Sequence, residues 1–245
     1  MPWILPWVCI GMVVWQTGGS IQAPAPRPEL SAEQILAKAL EVYASAPTYS
    51  AEWSYVLERS GSSARATVTI RAKGSRMLFF NVARSTGSKE MRDALPELAV
   101  VVDGKSAIFQ NNTARVWYRV LLPSGARITP LMFLPQIPTA RGVNRGPDLT
   151  QGKSRYYTVW GTSPDGAVTR MMVDAETFRI HGIVSEVIIG LDKVTSTLAA
   201  TKEEFGKELP DAMFEVKPPS SFKEIPAPPE AKALFGVADA KSGTP

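Results

Sequence analysis

Residues 51–72 read AEWSYVLERSGSSARATVTIRA, and apolar and polar side chains alternate along nearly the whole stretch. The pair Ser60-Gly61 interrupts the alternation with a turn signal. The apolar face carries Trp53, Tyr55 and Leu57 before the turn and Ala66, Val68 and Ile70 after it. A period of two on both sides of a tight turn predicts a hairpin of two antiparallel strands, each buried on one face only.

The same pattern continues along most of the chain. Turn signals such as Asp103-Gly104 and Asp165-Gly166 separate further alternating stretches. The further strand candidates are residues 77–82, 98–102, 106–110, 115–121, 155–160, 168–173, 178–188 and 193–201. About ten strands with few helices predict a mainly β fold, either a sandwich or a barrel.

One helix is predicted before the first strand. Ser31 is a suitable N-cap, and Gln34 three residues later completes a capping box. The apolar residues that follow at helical spacing are Ile35, Leu36, Ala39, Leu40 and Tyr43. The pair Ala46-Pro47 ends the helix, which therefore presents one apolar stripe for packing.

A second, short helix is predicted in the middle of the chain. Thr129-Pro130 is typical of an N-cap and a first helical residue, and residues 131–134, LMFL, are wholly apolar before Pro135. Such a segment is poorly suited to a surface that faces water. We expect it either to fill the core or to cover a ligand cavity as a lid.

The first 20 residues are predicted to be a cleaved signal peptide. Residues 3–15 are almost wholly apolar but shorter than the roughly 20 residues that span a bilayer. Gly18 and Ser20 provide the small side chains required before a cut after Ser20, and the cut would remove Cys9, the only cysteine. The segments expected to follow are an extended linker, residues 21–29, a single domain, residues 30–225, and a disordered tail or linker, residues 226–245.

Motifs for catalysis, cofactor binding and nucleic-acid binding are missing from the sequence. The single histidine, His181, lies in a strand pattern, and without a second histidine or a cysteine in the mature chain no metal site of the usual kinds is expected. No nucleophile elbow or phosphate-binding loop is present. The acidic pairs Asp174 with Glu176 and Glu203 with Glu204 are interpreted as solvated acids at turns and strand ends. The net charge is only +4 and Lys and Arg occur at strand spacing, so no nucleic-acid partner is expected. The missing motifs predict that the chain is not an enzyme and binds no cofactor.

Four short segments share a pattern with one known superfamily. They are residues 39–53, where a helix ends near a strand that begins YSAEW; residues 100–110, VVVDGKSAIFQ, followed by Trp117 and Tyr118; residues 171–180, MMVDAETFRI; and residues 214–225, FEVKPPSSFKEI. In these segments the chain resembles the outer-membrane lipoprotein carrier (LolA-like) superfamily, which includes LolB and the regulator RseB. It is most similar to uncharacterised periplasmic LolA-like proteins, and the resemblance covers residues 30–225.

This resemblance implies a periplasmic protein with a half-open antiparallel β-barrel, wrapped around the N-terminal helix and the short mid-chain apolar helix. It also implies an apolar cavity, which takes lipoprotein acyl chains in the carrier branch of the superfamily. The inward-facing candidates for lining such a cavity are Trp53, Tyr55, Leu57, Val68, Ile70, Phe80, Trp117 and Trp160, with Leu131, Met132 and Phe133 as a lid.

Two functions stay open at this point. The first is a carrier that binds a lipid or lipoprotein acyl chain inside the barrel. The second is a regulatory or scaffolding module of the RseB-like kind, in which the same aromatic side chains fill the core and the partner is an envelope protein or the membrane surface. A sizeable, dry and open cavity favours the first, and a sealed core favours the second.

Overall fold

The computed structural model describes residues 29–88, 91, 94–95, 97–139, 141–215 and 217–237. The predicted signal peptide and most of the predicted linker lie outside these residues. The helices with described bounds are α1 (Ala32–Ala44), α2 (Pro229–Ala233) and one 3-10 helix (Asp211–Phe214). The strands are β1 (Thr48–Arg59), β2 (Ser62–Lys73), β3 (Met77–Gly87), β4 (Leu98–Asp103), β5 (Ser106–Asn111), β6 (Val116–Leu121), β7 (Asn144–Arg145), β8 (Leu149–Gln151), β9 (Ser154–Thr162), β10 (Val168–Asp174), β11 (Ile180–Ile189), β12 (Asp192–Phe205) and β13 (Lys223–Glu224).

The 13 strands form one sheet, in which all neighbouring pairs are antiparallel except β13 and β6. The strand order is β13-β6-β5-β4-β3-β2-β1-β12-β11-β10-β9-β7, and β8 also pairs with β9. Within the described residues, the two terminal strands β13 and β7 do not pair with each other, so the sheet remains open. The mainly antiparallel β fold with few helices that the sequence predicted is confirmed.

One face of the sheet surrounds a single core. Side chains from both ends of the strand order, such as Val120 of β6 and Val159 of β9, belong to the same cluster of buried residues. An open sheet whose two ends share one core must curve around it, as a half-open barrel does. Trp53 of β1, near the middle of the strand order, is the largest fully buried side chain in the described chain.

Helix α1 packs on the concave face of the sheet. The hydroxyl oxygen of Ser31 accepts from the backbone N–H of Gln34 at 3.2 Å, and the Gln34 side chain accepts from the backbone N–H of Ser31 at 2.9 Å. The predicted capping box is therefore present. Ile35, Ala39 and Tyr43 are buried in the core, as the helical spacing predicted, whereas Leu40 of the same predicted stripe is exposed. No helix of the described chain has the length and apolar character needed to cross a membrane.

Residues 129–134 form consecutive turns, so the prediction of a short mid-chain helix was wrong. A helix continuing through this point would need N–H groups at positions 135 and 138 to reach the carbonyls of Leu131 and Leu134, and both positions are proline. The side-chain amide of Gln136 donates to these two carbonyls instead, at 2.6 and 2.9 Å. Ile128, Leu131 and Leu134 are nevertheless buried, so residues 128–138, the mid-chain segment, still pack on the core.

The mid-chain segment lies against β9 because β9 carries a glycine at the point of contact. A Cβ added at Gly161 would lie 2.2 Å from the carbonyl oxygen of Pro138 and 2.9 Å from Cγ2 of Ile137. Glycine within a strand commonly marks such a close approach of another backbone. Any larger residue at this position would displace the end of the mid-chain segment from the sheet.

Residues 225–237, the C-terminal segment, pack on the domain, whereas the sequence predicted a disordered tail or linker from residue 226. The backbone N–H groups of Lys223 and Ile225 donate to the carbonyls of Arg115 and Trp117, at 3.0 and 2.9 Å, and fix the start of the segment to β6. Helix α2 follows, and Ala231 and Phe235 are buried in the core. The prediction rested on an Ala- and Pro-rich composition, which did not reveal that Phe235 anchors the segment.

Candidate functional site

An apolar cavity of about 580 Å³ lies on the concave face of the sheet. Inner-face residues of β1 to β6 and β12 form most of its wall, and the mid-chain and C-terminal segments complete it. The volume falls within the range of roughly 300–1,000 Å³ that is typical of small-molecule sites. Among the wall residues, Leu234 is about half exposed and Ala94 is exposed, so the cavity meets solvent on this side.

The predicted lining residues are distributed between the cavity wall and the rest of the core. Those that lie in the wall are Tyr55, Val68, Phe80 and Phe133. Those that are buried in the core but outside the wall are Trp53, Leu57, Ile70 and Leu131, and Met132 is half-buried against the core. Phe133 therefore covers the cavity, whereas its two predecessors in the predicted lid do not.

Trp117 and Trp160 lie on the outer face of the sheet, where the sequence placed them on the inner face. Val116 and Tyr118 of β6 line the cavity, so Trp117 between them points the other way. Trp160 likewise follows the buried Val159 of β9 and is half-buried. In both strands apolar residues occupy both faces, so the alternation alone does not decide which face is buried.

Several wall residues were missing from the sequence prediction. They include Val82, Leu98, Phe109, Val116, Tyr118, Leu134, Ile225 and Leu234. The alternation in β5 and β6 contains the signal for Phe109 and Tyr118, because each lies two residues from another apolar side chain. Ile225 and Leu234 carried no such signal, since they belong to a proline-rich stretch that is not part of a longer strand or helix.

Aromatic rings form one side of the cavity. The rings of Phe80 and Phe133 lie 5.2 Å apart, and those of Phe109 and Tyr118 are stacked at 4.9 Å. Phe109 also makes edge contacts with Phe133 and Phe235, each at 6.0 Å. One cluster of rings thus joins the sheet to the mid-chain and C-terminal segments, the two parts of the wall that do not belong to the sheet.

Few polar groups face the cavity, and most are engaged by neighbouring residues. Gln110 donates to the Asn112 side chain, and the Asn111 side chain accepts from the backbone of Ala114 at 2.8 Å. Burial raises the pKa of the Tyr55 and Tyr118 hydroxyls, so both stay neutral at physiological pH. The cavity therefore offers an apolar ligand a neutral surface with little competing demand for hydrogen bonds.

A second feature of the core is a polar network whose residues lie outside the cavity wall. The hydroxyls of Tyr43 and Tyr49 both donate to Glu203 Oε1, at 3.1 and 2.7 Å. Trp53 Nε1 donates to the Tyr49 hydroxyl at 3.3 Å, and the backbone N–H of Ile180 donates to the Tyr43 hydroxyl at 2.9 Å. The network ties β1, β11 and β12 to the end of α1.

Glu203 was interpreted from the sequence as a solvated acid, and the structure shows that this was wrong. The pairing of β1 with β12 shifts register between Glu52 and Trp53, which leaves Thr201 as an extra residue of β12. Leu198 on one side of this bulge and Glu203 on the other both face the core, although one position is even and the other odd. Simple alternation cannot predict such a change of phase.

The partly buried carboxyl of Glu203 should make the stability of the fold depend on pH. Burial raises the pKa of Glu203 above its ordinary value of 4.5, although the tyrosine hydrogen bonds and the charges of Arg179 and His181 act in the opposite direction. The folded protein therefore binds this proton more tightly than the unfolded chain. Stability contributed by the protonated form is complete below pH 4.5 and is lost as the pH rises through the raised pKa.

We expect Glu203→Gln to gain stability relative to the wild-type protein as the pH rises from 4.5 towards neutrality. The free energy of unfolding in urea, measured at several pH values, checks this. Glu204→Gln is the matched control, because Lys207 and Lys202 lower the pKa of the neighbouring Glu204 and its contribution has the opposite sign. If the free energy of unfolding changed with pH in the same way in the wild type and in Glu203→Gln, the Glu203 carboxyl would not be the cause of the pH dependence.

Comparisons with known proteins concern the fold. No family model matches the sequence, and a search of curated proteins also gives no match. The chain is similar to the crystal structure of an uncharacterized conserved protein from Thermus thermophilus, with 11% identity over 80% of this chain and 99% of that one, at a TM-score of 0.53.

Two further solved structures are also similar to this chain. A LolA superfamily protein from Nitrosomonas europaea is 12% identical over 77% of this chain and 99% of its own, at a TM-score of 0.38. MucB is 10% identical over 78% of this chain and 64% of its own, at a TM-score of 0.44. At identities this low the likeness is one of fold alone.

Proposed function

We propose that this chain is an exported, periplasmic LolA-like protein that holds an acyl chain of a lipid or lipoprotein in its apolar cavity. The observation that carries the proposal is the cavity itself, with a volume of about 580 Å³, aromatic and aliphatic walls and a side that meets solvent. A filled core, as required by the alternative of a module that only contacts other proteins, would leave no such space. The predicted signal peptide supports the proposed location.

The free energy of acyl-chain burial suits a carrier. Each methylene removed from water contributes about 0.8 kcal/mol, so ten methylenes contribute on the order of 8 kcal/mol. Immobilising the chain and ordering side chains around it costs part of this gain. The remainder of this gain would hold a lipid in transit and still allow its release.

The wall offers a route for entry and release of the ligand. The C-terminal segment is fixed by the backbone hydrogen bond from Ile225 to Trp117 of β6 and by the burial of Ala231 and Phe235. Phe133 is half-buried and contacts the cavity through the rings of Phe80 and Phe109. We infer that displacement of these side chains, and not a change of the sheet, admits the acyl chain.

Mass spectrometry of an organic extract from the purified exported protein tests the proposal. We expect an acyl lipid or lipoprotein fragment in stoichiometric amount from the wild type. Phe133→Asp places a charge in the apolar wall and should lower the recovered lipid by about tenfold or more, since an unpaired buried charge is costly.

The matched control is Leu121→Asp, because Leu121 is exposed on the outer face of β6 and should retain its lipid. Far-ultraviolet circular dichroism of each variant establishes that the fold is intact. A folded wild-type protein that yields no acyl species would overturn the proposal and leave the protein-contact alternative.

A further inference from the structure

The tip of the β11–β12 hairpin, residues 188–191, exposes a group of large aliphatic side chains. Ile188, Ile189 and Leu191 are 75%, 54% and 104% exposed. Ile189 pairs with Asp192, so Gly190 and Leu191 form a two-residue turn at the very end of the hairpin. The other exposed large apolar residues of the described chain are Leu40, Leu121, Leu149, Met213 and Leu234, and no two of these lie on the same element.

Charged side chains surround the base of this hairpin tip, and they are paired with one another. Arg59 donates to Asp192 at 2.9 and 3.0 Å, and the Ser60 hydroxyl donates to the same carboxylate at 2.6 Å. Arg170 and Lys193 both form ion pairs with Glu186. The hairpin tip is therefore aliphatic, and the ion-paired side chains at its base form a polar collar around it.

The hairpin tip and the cavity share one end of the sheet. In the strand pairing, Val82, Leu98, Asn111 and Val116 are partners in one row across β3 to β6, and all four belong to the cavity wall. Across β2 and β1 this row continues to Val68 and Trp53, and from there β1 runs on to Arg59, beside the hairpin tip. Leu191 lies just before β12, and the wall residue Leu198 lies within that strand. The extended chain between these two residues is long enough for the hairpin tip to project roughly 20 Å beyond the wall.

We propose that residues 188–191 enter the headgroup and upper acyl region of a lipid bilayer and hold this end of the sheet against the membrane. Three aliphatic side chains on a convex turn provide far less than the roughly 800 Å² per partner of a standard protein interface. They do suit a bilayer, in which apolar groups are buried among acyl chains and the polar collar remains among the headgroups. The choice of a lipid surface rests on the proposed function, because the membrane is the source or destination of an acyl ligand.

Flotation of the purified protein with phosphatidylcholine vesicles tests this proposal. We expect the wild type to float with the vesicles, and the bound fraction to persist at about 0.5 M salt because the collar is paired and the contact is apolar. Leu191→Asp should lower the partition coefficient by about tenfold or more, which corresponds to about 1.4 kcal/mol. Leu191 is fully exposed, so the substitution should leave folding unchanged.

Leu121→Asp is the matched control, since it removes another large exposed leucine elsewhere on the sheet and should float like the wild type. A wild type that stays in solution, or a Leu191→Asp variant that floats equally well, would overturn the proposal. Lipid extracted from the same preparations separates this result from the proposed function. Flotation of a protein that contains no acyl ligand refutes the carrier function alone, whereas a ligand-bearing protein that does not float refutes only the membrane contact.

Discussion

Replacement of Trp53 by alanine is expected to lower the free energy of unfolding by about 3–5 kcal/mol. Trp53 is fully buried on β1, and its Nε1–H donates to the Tyr49 hydroxyl at 3.3 Å. Alanine would leave a large void between β1 and the core, and would remove one hydrogen bond from the network around Glu203. The free energy of unfolding of small domains is only about 5–15 kcal/mol, so loss of this one side chain would remove much of it.

Urea unfolding at equilibrium measures the effect, and Trp117→Ala provides the control. Trp117 is the same residue type on another part of the sheet, but it lies half-buried on the outer face. We expect its replacement to cost about 1 kcal/mol or less, as is usual for a surface position. Equal losses for the two variants would mean that the inner face of the sheet does not contain the main core.

The difference between these two tryptophans also shows where sequence reasoning succeeds. Around Trp53 the alternation runs unbroken through a long hairpin with a clear turn, so period and phase could both be read from the sequence. Around Trp117 the strand is only six residues long, and apolar residues occupy both faces, as in Val116 and Tyr118 on one side and Trp117 on the other. In such a strand the sequence indicates that a strand is present, but it does not indicate which face of the strand is buried.

Three other features could not be predicted because they depend on contacts that the local pattern does not reveal. The bulge at Thr201 follows from how β12 pairs with β1, and it turns Glu203 inward. The turns of residues 129–134 follow from Gln136 and two prolines, which together replace a helical hydrogen-bond pattern. The position of Phe235 follows from its contact with the ring of Phe109, which belongs to a strand far away along the chain.

These unpredicted features also determine the candidate site. The sheet alone supplies the inner face of β1 to β6, which alternation outlines well. The mid-chain and C-terminal segments turn that face into a cavity, and their placement depends on single residues such as Gly161, Gln136 and Phe235. The fold class was therefore accessible from the sequence, whereas the boundary of the cavity required the structure.

Val116→Trp is expected to weaken binding of an acyl ligand on the order of a hundredfold. Val116 is half-buried in the cavity wall at the start of β6, so the larger indole would occupy space inside the cavity. If the ring excludes about four methylenes of an acyl chain, the loss is about 3 kcal/mol, at about 0.8 kcal/mol for each methylene. Displacement of a fluorescent fatty acid, titrated on delipidated protein, measures the change in the dissociation constant.

Arg119→Trp is the matched control for this variant, because Arg119 lies further along β6 and is exposed on the outer face. It adds an indole to the same strand without reaching the cavity, and we expect it to bind the fatty acid like the wild type. Urea unfolding of both variants separates a filled cavity from a damaged fold, since an indole that fits the space should leave stability within about 1 kcal/mol of the wild type. Unchanged binding by a stable Val116→Trp protein would place the acyl chain elsewhere, because an indole inside the cavity would exclude part of any chain bound there.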